Sequence, residues 1–257
     1  MRCRPGSASA GLMLYCNGRP EYHEMGFVEH YLRPGDRFVD IGANIGAYTL
    51  LAASIGAGTI DAFEPGPEAL ERLRENIVLN GLGNVRVHPV AVAHLSDIVE
   101  FTRCLDATNR VMIAVEDRAT GVSAIDCKDA CSEAMGELIK VPCARLDDVL
   151  LGQHYAMGKM DIEGAEPLAL QGAEQMLSEA NPPVWLLELN RALHAYGFTE
   201  QQLANWLNER GYDLALYDAD SRTLRFLDAP WRERDNVLAI ARVKRDDVAA
   251  RLKSAGK

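Results

Sequence analysis

No apolar run in the sequence approaches the ~18 residues that a membrane-spanning helix needs, so a helical membrane protein is not expected. Internal repeats and low-complexity tracts are also missing, and with them go the collagen-like and disordered classes. No two cysteines have C-x-x-C spacing. The six (Cys3, Cys16, Cys104, Cys127, Cys131 and Cys143) are scattered, and the nearest pair lies four apart without a matching pair of histidines. Dispersed cysteines in a chain this large predict reduced thiols in the cytoplasm, not a zinc site. Positive charge is in deficit, with 27 Lys+Arg against 37 Asp+Glu and a formal charge of −10. That balance argues against a non-specific binder of nucleic acid or of membrane surfaces. At the N-terminus, Pro5-Gly6-Ser7 interrupts any hydrophobic segment and Leu12-Met13-Leu14 is too short for one, so no signal peptide is expected.

What the chain does have is ordinary globular composition, 48% apolar and 25% charged over 257 residues. One α/β domain or two small ones would fit. Arg37–Ile41 reads as a buried strand after the Pro34-Gly35-Asp36 turn, and an apolar helix follows from about Gly46 to Ile55. Thr59–Phe63 is a second strand. Pro67 opens a helix with Leu70, Leu73 and Ile77 on one face that stops at Asn80-Gly81, and Asn84–Val92 is a third strand region. Strands alternating with helices predict a parallel, helix-covered, doubly wound sheet. Residues 98–146 break the rhythm, with strands at Ile98–Arg103 and Leu138–Cys143 around a polar stretch, and read as a substrate-facing insertion. The alternation resumes with a strand at Met157–Asp161, a helix over Pro167–Leu177 and a strand at Val184–Leu189. Thr199 and Gln202 form a capping box for a helix ending at Gly211. Tyr212–Tyr217 and Asn236–Ala241 close the sheet, with Leu224–Leu227 as a short partner. The stretch 231–257, with eight Lys/Arg against four Asp/Glu, reads as a solvated terminal helix.

Asp40-Ile41-Gly42-Ala43-Asn44-Ile45-Gly46 follows a strand and opens a helix, the position where doubly wound folds bind ligands. Gly42 and Gly46 allow the backbone to approach a ligand closely. Glu64 ends the next strand 24 residues after Asp40, where a carboxylate accepts both hydroxyls of a ribose. Asp40 separates two nucleotide classes. It would oppose the pyrophosphate of a nicotinamide or flavin dinucleotide, and Asn44 adds a side chain where a pyrophosphate needs bare backbone. S-adenosylmethionine has no phosphate, and it carries an ammonium and a sulfonium that favour a nearby carboxylate. A strand–helix turn in an α/β protein that binds nothing is the bland alternative.

Phe38–Gly46, Phe63-Glu64-Pro65, Arg145-Leu146-Asp147-Asp148 and Lys159-Met160-Asp161-Ile162-Glu163-Gly164-Ala165-Glu166 together resemble the FkbM-type methyltransferases, over roughly residues 20–242. The resemblance implies a Rossmann-like class I methyltransferase fold with a mostly parallel seven-stranded sheet. It also implies methyl transfer from S-adenosylmethionine, usually to a hydroxyl of a natural product or sugar. The first 20 residues and most of 104–136 match nothing in the family, and acceptor choice is expected to lie there.

Asp161 falls on the same rim as Asp40 and Glu64. Methyl transfer must hold an acceptor oxygen near the methyl carbon and remove its proton, so Asp161, Glu163 and Glu188 are the candidate catalytic acids. Glu166, beside Pro167, equally suits a helix N-terminus. Glu188 and Asn190 share a face two residues apart, and with Asp161 they form an oxygen-ligand set for Mg2+. The cofactor contacts expected are Asp40, Gly42, Asn44, Gly46, Glu64, Pro65 and Ala91, with Ala91 near the adenine. His23, His30, His88 and His94 read as structural. Tyr15, Tyr22, Phe27 and Tyr31 suit either a lid or the packing of an N-terminal helix. The chain thus divides into an N-terminal helical or lid segment (1–35), a methyltransferase domain (36–242) and a basic tail (243–257). Its expected partner is a small-molecule acceptor, with no nucleic acid and no membrane. N-methylation of an amine and a non-catalytic cofactor-binding scaffold remain as alternatives.

Overall fold

The computed structural model of the protein describes residues 21–103, 109–112, 137–229 and 233–254. Cys3, Tyr15, Cys16, Cys104, Cys127 and Cys131 lie outside these, as do most of the unmatched residues 104–136. Cys143 is a free, buried thiol.

The elements run α1 (Tyr22–Tyr31), β1 (Arg37–Ile41), α2 (Ala47–Ile55), β2 (Thr59–Phe63), α3 (Pro67–Leu79), β3 (Val85–His88), β4 (Ala91–Val92), β5 (Asp97–Arg103), β6 (Val111–Met112) and β7 (Glu137–Ala144). They continue with α4 (Leu146–Leu150), β8 (Met157–Met160), α5 (Glu166–Gln171), α6 (Glu174–Ser178), β9 (Val184–Glu188), a 3₁₀ helix (Arg191–Tyr196), α7 (Glu200–Glu209), β10 (Tyr212–Asp218), β11 (Thr223–Phe226), β12 (Asn236–Ala241) and α8 (Arg245–Ser254). The main sheet has the order β11-β10-β12-β9-β8-β1-β2-β3. The run from β9 to β3 is parallel and the β10–β12 end antiparallel. The expected seven strands are all present. The short Thr223–Phe226 segment makes an eighth by pairing with β10, because a hairpin covers that edge.

Alternation along the parallel strands sends side chains to two buried faces. Phe38, Ile60, Met157 and Val184 pack with Phe27, Val28 and Tyr31 of α1 and Ala52 of α2. Val39, Ile41, Phe63, Met160 and Leu187 face the opposite layer, with Leu170, Met176 and Leu207. Helices thus cover both faces, as a doubly wound fold requires.

Three expectations about elements change in the structure. The third strand region splits after His88, where Pro89 lacks an amide for the ladder, and Ala91–Val92 leaves to pair with Cys143–Ala144. There it founds a second sheet of order β4-β7-β5-β6, which is the 98–146 excursion. The single helix over Pro167–Leu177 is two short ones. Buried Asp147 accepts the amides of Gln175 (3.0 Å) and Met176 (3.1 Å), and a Cβ on Gly172 would lie 2.1 Å from the Ala93 carbonyl oxygen. Finally, the terminal helix is not simply solvated, since Val248 and Leu252 are buried in the core beneath α1. Arg251 bonds Asp36 and lies over the Tyr31 ring, 4.7 Å from its centroid.

Phe27 and Tyr31 stack on each other within this core, so they pack α1 and form no lid. Tyr22 is exposed and donates to Asp220 (2.7 Å). Leu252→Ala is expected to cost about 2–5 kcal/mol by lost burial and a residual cavity. Chemical denaturation measures this, and an unchanged midpoint would show the helix is not docked.

Candidate active site

The carboxyl ends of β1, β2, β8 and β9 form one rim, and the chain's connections reverse direction between β1 and β8. Asp40 and Lys159 are register partners across that pair, and both are buried. Asp40 Oδ2 accepts the Thr49 hydroxyl from α2 (2.6 Å), while Oδ1 is buried with no partner. Burial pushes the Asp40 carboxyl upward, and the Lys159 ammonium opposes it. Burial likewise works against the Lys159 charge, but Asp161, Asp40 and Glu21 outweigh it and hold the ammonium protonated. Lys159 Nζ donates to Asp161 Oδ2 (3.1 Å) and lies 5.2 Å from the centroid of the Tyr48 ring, whose hydroxyl donates to Glu21.

The loop after β1 is shaped by what surrounds it. Gly42 has φ +74°, and a Cβ there would lie 1.9 Å from the Asp161 carbonyl oxygen, so no other residue fits. Asn44 also has positive φ, a region asparagine tolerates better than most. Gly46 ends the loop as the N-cap of α2, without a side-chain cap. Glu64 is 7% exposed, and its carboxylate accepts the amides of Asn44 (2.8 Å) and Gly66 (2.8 Å). Burial lifts its pKa to about 7 against the pull of those two bonds. Each carboxylate oxygen keeps a second lone pair, which suits a pair of ribose hydroxyls. Pro65 is partly exposed beside Glu64. Ala91 is placed apart, in the core of the second sheet. That sheet still reaches the loop, since Phe101 lies 3.6 Å from the ideal Cβ position of Gly66.

Beyond β8 the chain turns sharply from Asp161 to Glu166. Glu166 is fully buried; its Oε1 accepts the Ile162 amide (2.8 Å), and Oε2 has no partner. This clamp holds Glu163 at φ +58° and Gly164 at φ +100°. A Cβ on Gly164 would meet the Ala192 carbonyl oxygen at 2.3 Å. A non-glycine residue in the left-handed region marks strain of the kind concentrated at functional sites. Burial and the Asp161 charge lift Glu163 to about 7, with Arg110 and Lys159 opposing. Glu188 Oε2 is buried without a partner, and burial followed by the charges of Asp161, Glu166 and Glu163 lifts Glu188 to about 8. Glu166 is lifted to about 8, chiefly by burial.

Asp161, Glu163 and Glu188 therefore come together as expected. The Mg2+ set with Asn190 does not. The Asn190 Oδ1 accepts the Ala192 amide (2.7 Å) as the N-cap of the 3₁₀ helix, and Asp161 Oδ2 is held by Lys159. Among the described residues no group of His, Cys, Asp and Glu is arranged to hold a metal ion. Three site features carried no usable signal beforehand: the burial of Lys159, the Glu166 clamp, and Asn76, whose side chain donates to the Ile45 carbonyl (2.8 Å) and fixes the loop. The histidines are structural where they are paired. His88 bonds Asp61 (2.8 Å), His30 bonds Tyr217 (2.7 Å), and His23 accepts the Ala219 amide (3.1 Å).

A glycine loop after β1, an acid closing β2 and acids beyond β8 and β9, on a doubly wound sheet with an antiparallel end, define a class I methyltransferase that uses S-adenosylmethionine. Residues 40–214 match the methyltransferase FkbM domain, and the chain belongs to that family. It is 30% identical over 194 residues to the 31-O-demethyl-FK506 methyltransferase FkbM of Streptomyces tacrolimicus, covering 65% of this chain and 74% of that one. A ribosomal protein L11 methyltransferase of Exiguobacterium sp. is 34% identical over 58 residues, 23% of this chain and 19% of that one. The crystal structure of a methyltransferase FkbM from Methylobacillus flagellatus superposes with a TM-score of 0.48 at 17% identity, covering 89% of this chain and 52% of that one. No helix among the described residues is long and apolar enough to cross a membrane.

Because burial lifts Glu188 above the ordinary 4.5, the folded protein holds a proton that the unfolded chain releases. The stability this proton contributes is complete below about pH 4.5 and is lost as the pH rises through about 8. Glu188→Gln removes that dependence. Its melting temperature is expected to exceed the parent's at about pH 9, by about 2–4 °C for each kcal/mol relieved, and to match it at about pH 4. Thermal melts across pH check this, and a constant offset at every pH would contradict it.

Proposed function

We propose that this methyltransferase methylates a hydroxyl of a small natural product or sugar, with Asp161 as the base or acceptor-positioning acid. The observation that carries the reading is the state of Asp161. Its Oδ2 is fixed by Lys159, its side chain is 34% exposed, and it stands between the loop after β1 and Glu188. The relative that aligns over most of the chain is named for an O-demethyl substrate, and this favours oxygen over nitrogen as the acceptor atom. The net charge of −10 suits a small neutral acceptor better than a polyanion such as nucleic acid, and it fits a cytoplasmic protein that binds no membrane.

The cofactor's part is an electrophilic methyl group carried on a sulfonium. Glu64 accepts the ribose hydroxyls, while Gly42, Asn44 and Gly46 present backbone close to the ligand. Asp40 offers its Oδ1, without a partner among the described residues, to the cationic end, and Pro65 lies beside the adenine, whereas Ala91, buried in the second sheet, is left out of the site. On the acceptor side, Glu163 and Glu188 orient the hydroxyl by hydrogen bonds worth on the order of 1 kcal/mol each. Asp161 receives its proton, and general-base help of this kind is worth roughly 10²–10⁴-fold. From the described part of the 98–146 excursion, Arg110 is set near Glu163 on the acceptor side.

Titration calorimetry with S-adenosylhomocysteine, and NAD as the control ligand, tests the cofactor site. Micromolar binding of the first alone is expected, and Glu64→Ala should weaken it by about 1.5–3 kcal/mol through loss of charge-assisted bonds. Unchanged affinity in that variant would remove Glu64 from the ribose site. With an acceptor found by screening hydroxylated natural products and sugars, Asp161→Asn should slow turnover by about 10²–10⁴-fold at near-parental S-adenosylhomocysteine affinity. Equal losses in turnover and affinity would point to a structural role.

A further inference from the structure

Among the described residues, negative groups at the rim outnumber the positive groups facing them. Asp161 follows β8, Glu188 ends β9, and Glu163 and Glu166 lie in the turn between β8 and α5. Facing them are Lys159 from β8, already engaged by Asp161 and Asp40, and Arg110 from the second sheet. Glu21 and Tyr48 stand behind Lys159. Within this cluster the Oε2 atoms of Glu166 and Glu188 are both buried without a hydrogen-bond partner among the described residues, and Glu166 is 0% exposed. A buried carboxylate oxygen with nothing to accept is costly unless it carries a proton or meets a cation.

We propose that Glu163, Glu166 and Glu188 together hold a proton that leaves when the cationic cofactor binds, and that these oxygens take up the acceptor's proton once the positive charge has gone. The inference rests on the cofactor reading above and extends it from Asp161 to the acids around it. The proton belongs to the coupled set and not to one residue. Near neutral pH the set is only partly ionised, because burial and mutual repulsion lift Glu163 to about 7 and Glu188 and Glu166 to about 8. A cation brought nearby favours the ionised form.

The bookkeeping closes. The bond between sulfur and the methyl carbon breaks, its electron pair stays on sulfur, and the positive charge there is lost. A bond forms between the acceptor oxygen and the methyl carbon, and the acceptor's proton passes through Asp161 to a carboxylate of the set. One positive charge leaves the cofactor and one proton arrives on the rim, so the net charge of the buried site is unchanged. A low-dielectric site favours a step without net charge separation.

S-adenosylmethionine and S-adenosylhomocysteine differ by that charge and both place a ribose on Glu64, so comparing them cancels any proton bound there. Each is titrated calorimetrically into the protein, without acceptor, in phosphate and in Tris near pH 7.5. The expected result is up to one more proton released by S-adenosylmethionine than by S-adenosylhomocysteine, and a smaller difference in Glu188→Gln and in Glu163→Gln. The ratio of their affinities should also shift towards S-adenosylmethionine by about tenfold between pH 6 and pH 8, following linkage to one proton. Equal proton release by the two ligands would overturn the proposal, as would a difference that survives undiminished in both glutamine variants. If the parent protein binds neither ligand, the cofactor reading itself fails, an outcome distinct from equal proton counts.

Discussion

The electrostatic coupling of Asp40 to Lys159 is the interaction on which the rest of the site depends. These two charges face each other in register on adjacent parallel strands, deep in the sheet, where either one alone would cost several kcal/mol. They meet where the connections of the sheet turn in opposite directions, the one place in such a fold where a crevice opens between strand ends. From Lys159 the charge network runs to Asp161 at the rim and towards Tyr48 and Glu21 at the start of α1. From Asp40 it runs to Thr49 at the base of α2. The elements that meet around the cofactor loop are thus tied to two buried, opposite charges.

Around these two charges the described residues place carboxylates in excess of cations and leave the Asp40 Oδ1, Glu166 Oε2 and Glu188 Oε2 atoms unanswered among themselves. In a purely structural cluster such groups would be matched, since unpaired buried polar atoms are rare in native proteins. In the proposed reading, a ligand bearing a sulfonium and hydroxyl donors supplies what the protein withholds, and the same groups would serve a reaction that releases a proton. The left-handed backbone at Glu163, held by the Glu166 clamp, fits this view: local strain is tolerated where it aims a functional side chain.

Much of this was legible in the sequence. The alternation of β1, α2, β2 and α3 is written in local apolar runs and in Gly and Pro punctuation, and the boundaries at Arg37–Ile41 and Thr59–Phe63 coincide with the expected ones. The capping box at Thr199 is present with both of its bonds. What stayed hidden depends on contacts distant in sequence. Asp147 stands in the sequence only as part of the Arg145–Asp148 motif, yet it accepts two amides 28 and 29 residues onward and so divides a helix. Lys159 is the first residue of the Lys159–Glu166 motif, and nothing local to it shows that it is buried in register with Asp40. Asn190 shares a face with Glu188, and no local pattern reveals that its oxygen caps the next helix and is lost to a metal. The docking of α8 was missed for the same reason, because two apolar residues in a charged decapeptide are a weak signal until α1 provides a surface for them.

The site is organised by the coupling of the buried Asp40 and Lys159 charges, and a double-mutant cycle in urea tests this most directly. Asp40→Asn leaves Lys159 with Asp161 as its counter-ion and is expected to cost about 1–3 kcal/mol, whereas Lys159→Met leaves the buried Asp40 carboxyl with the Thr49 hydroxyl as its partner and should cost about 3–5 kcal/mol. The double variant should cost less than the sum of the two by more than about 1 kcal/mol, since its two sites are in contact and share partners. Strict additivity would contradict the account, because Asp40 and Lys159 would then be independent residues that happen to lie in register.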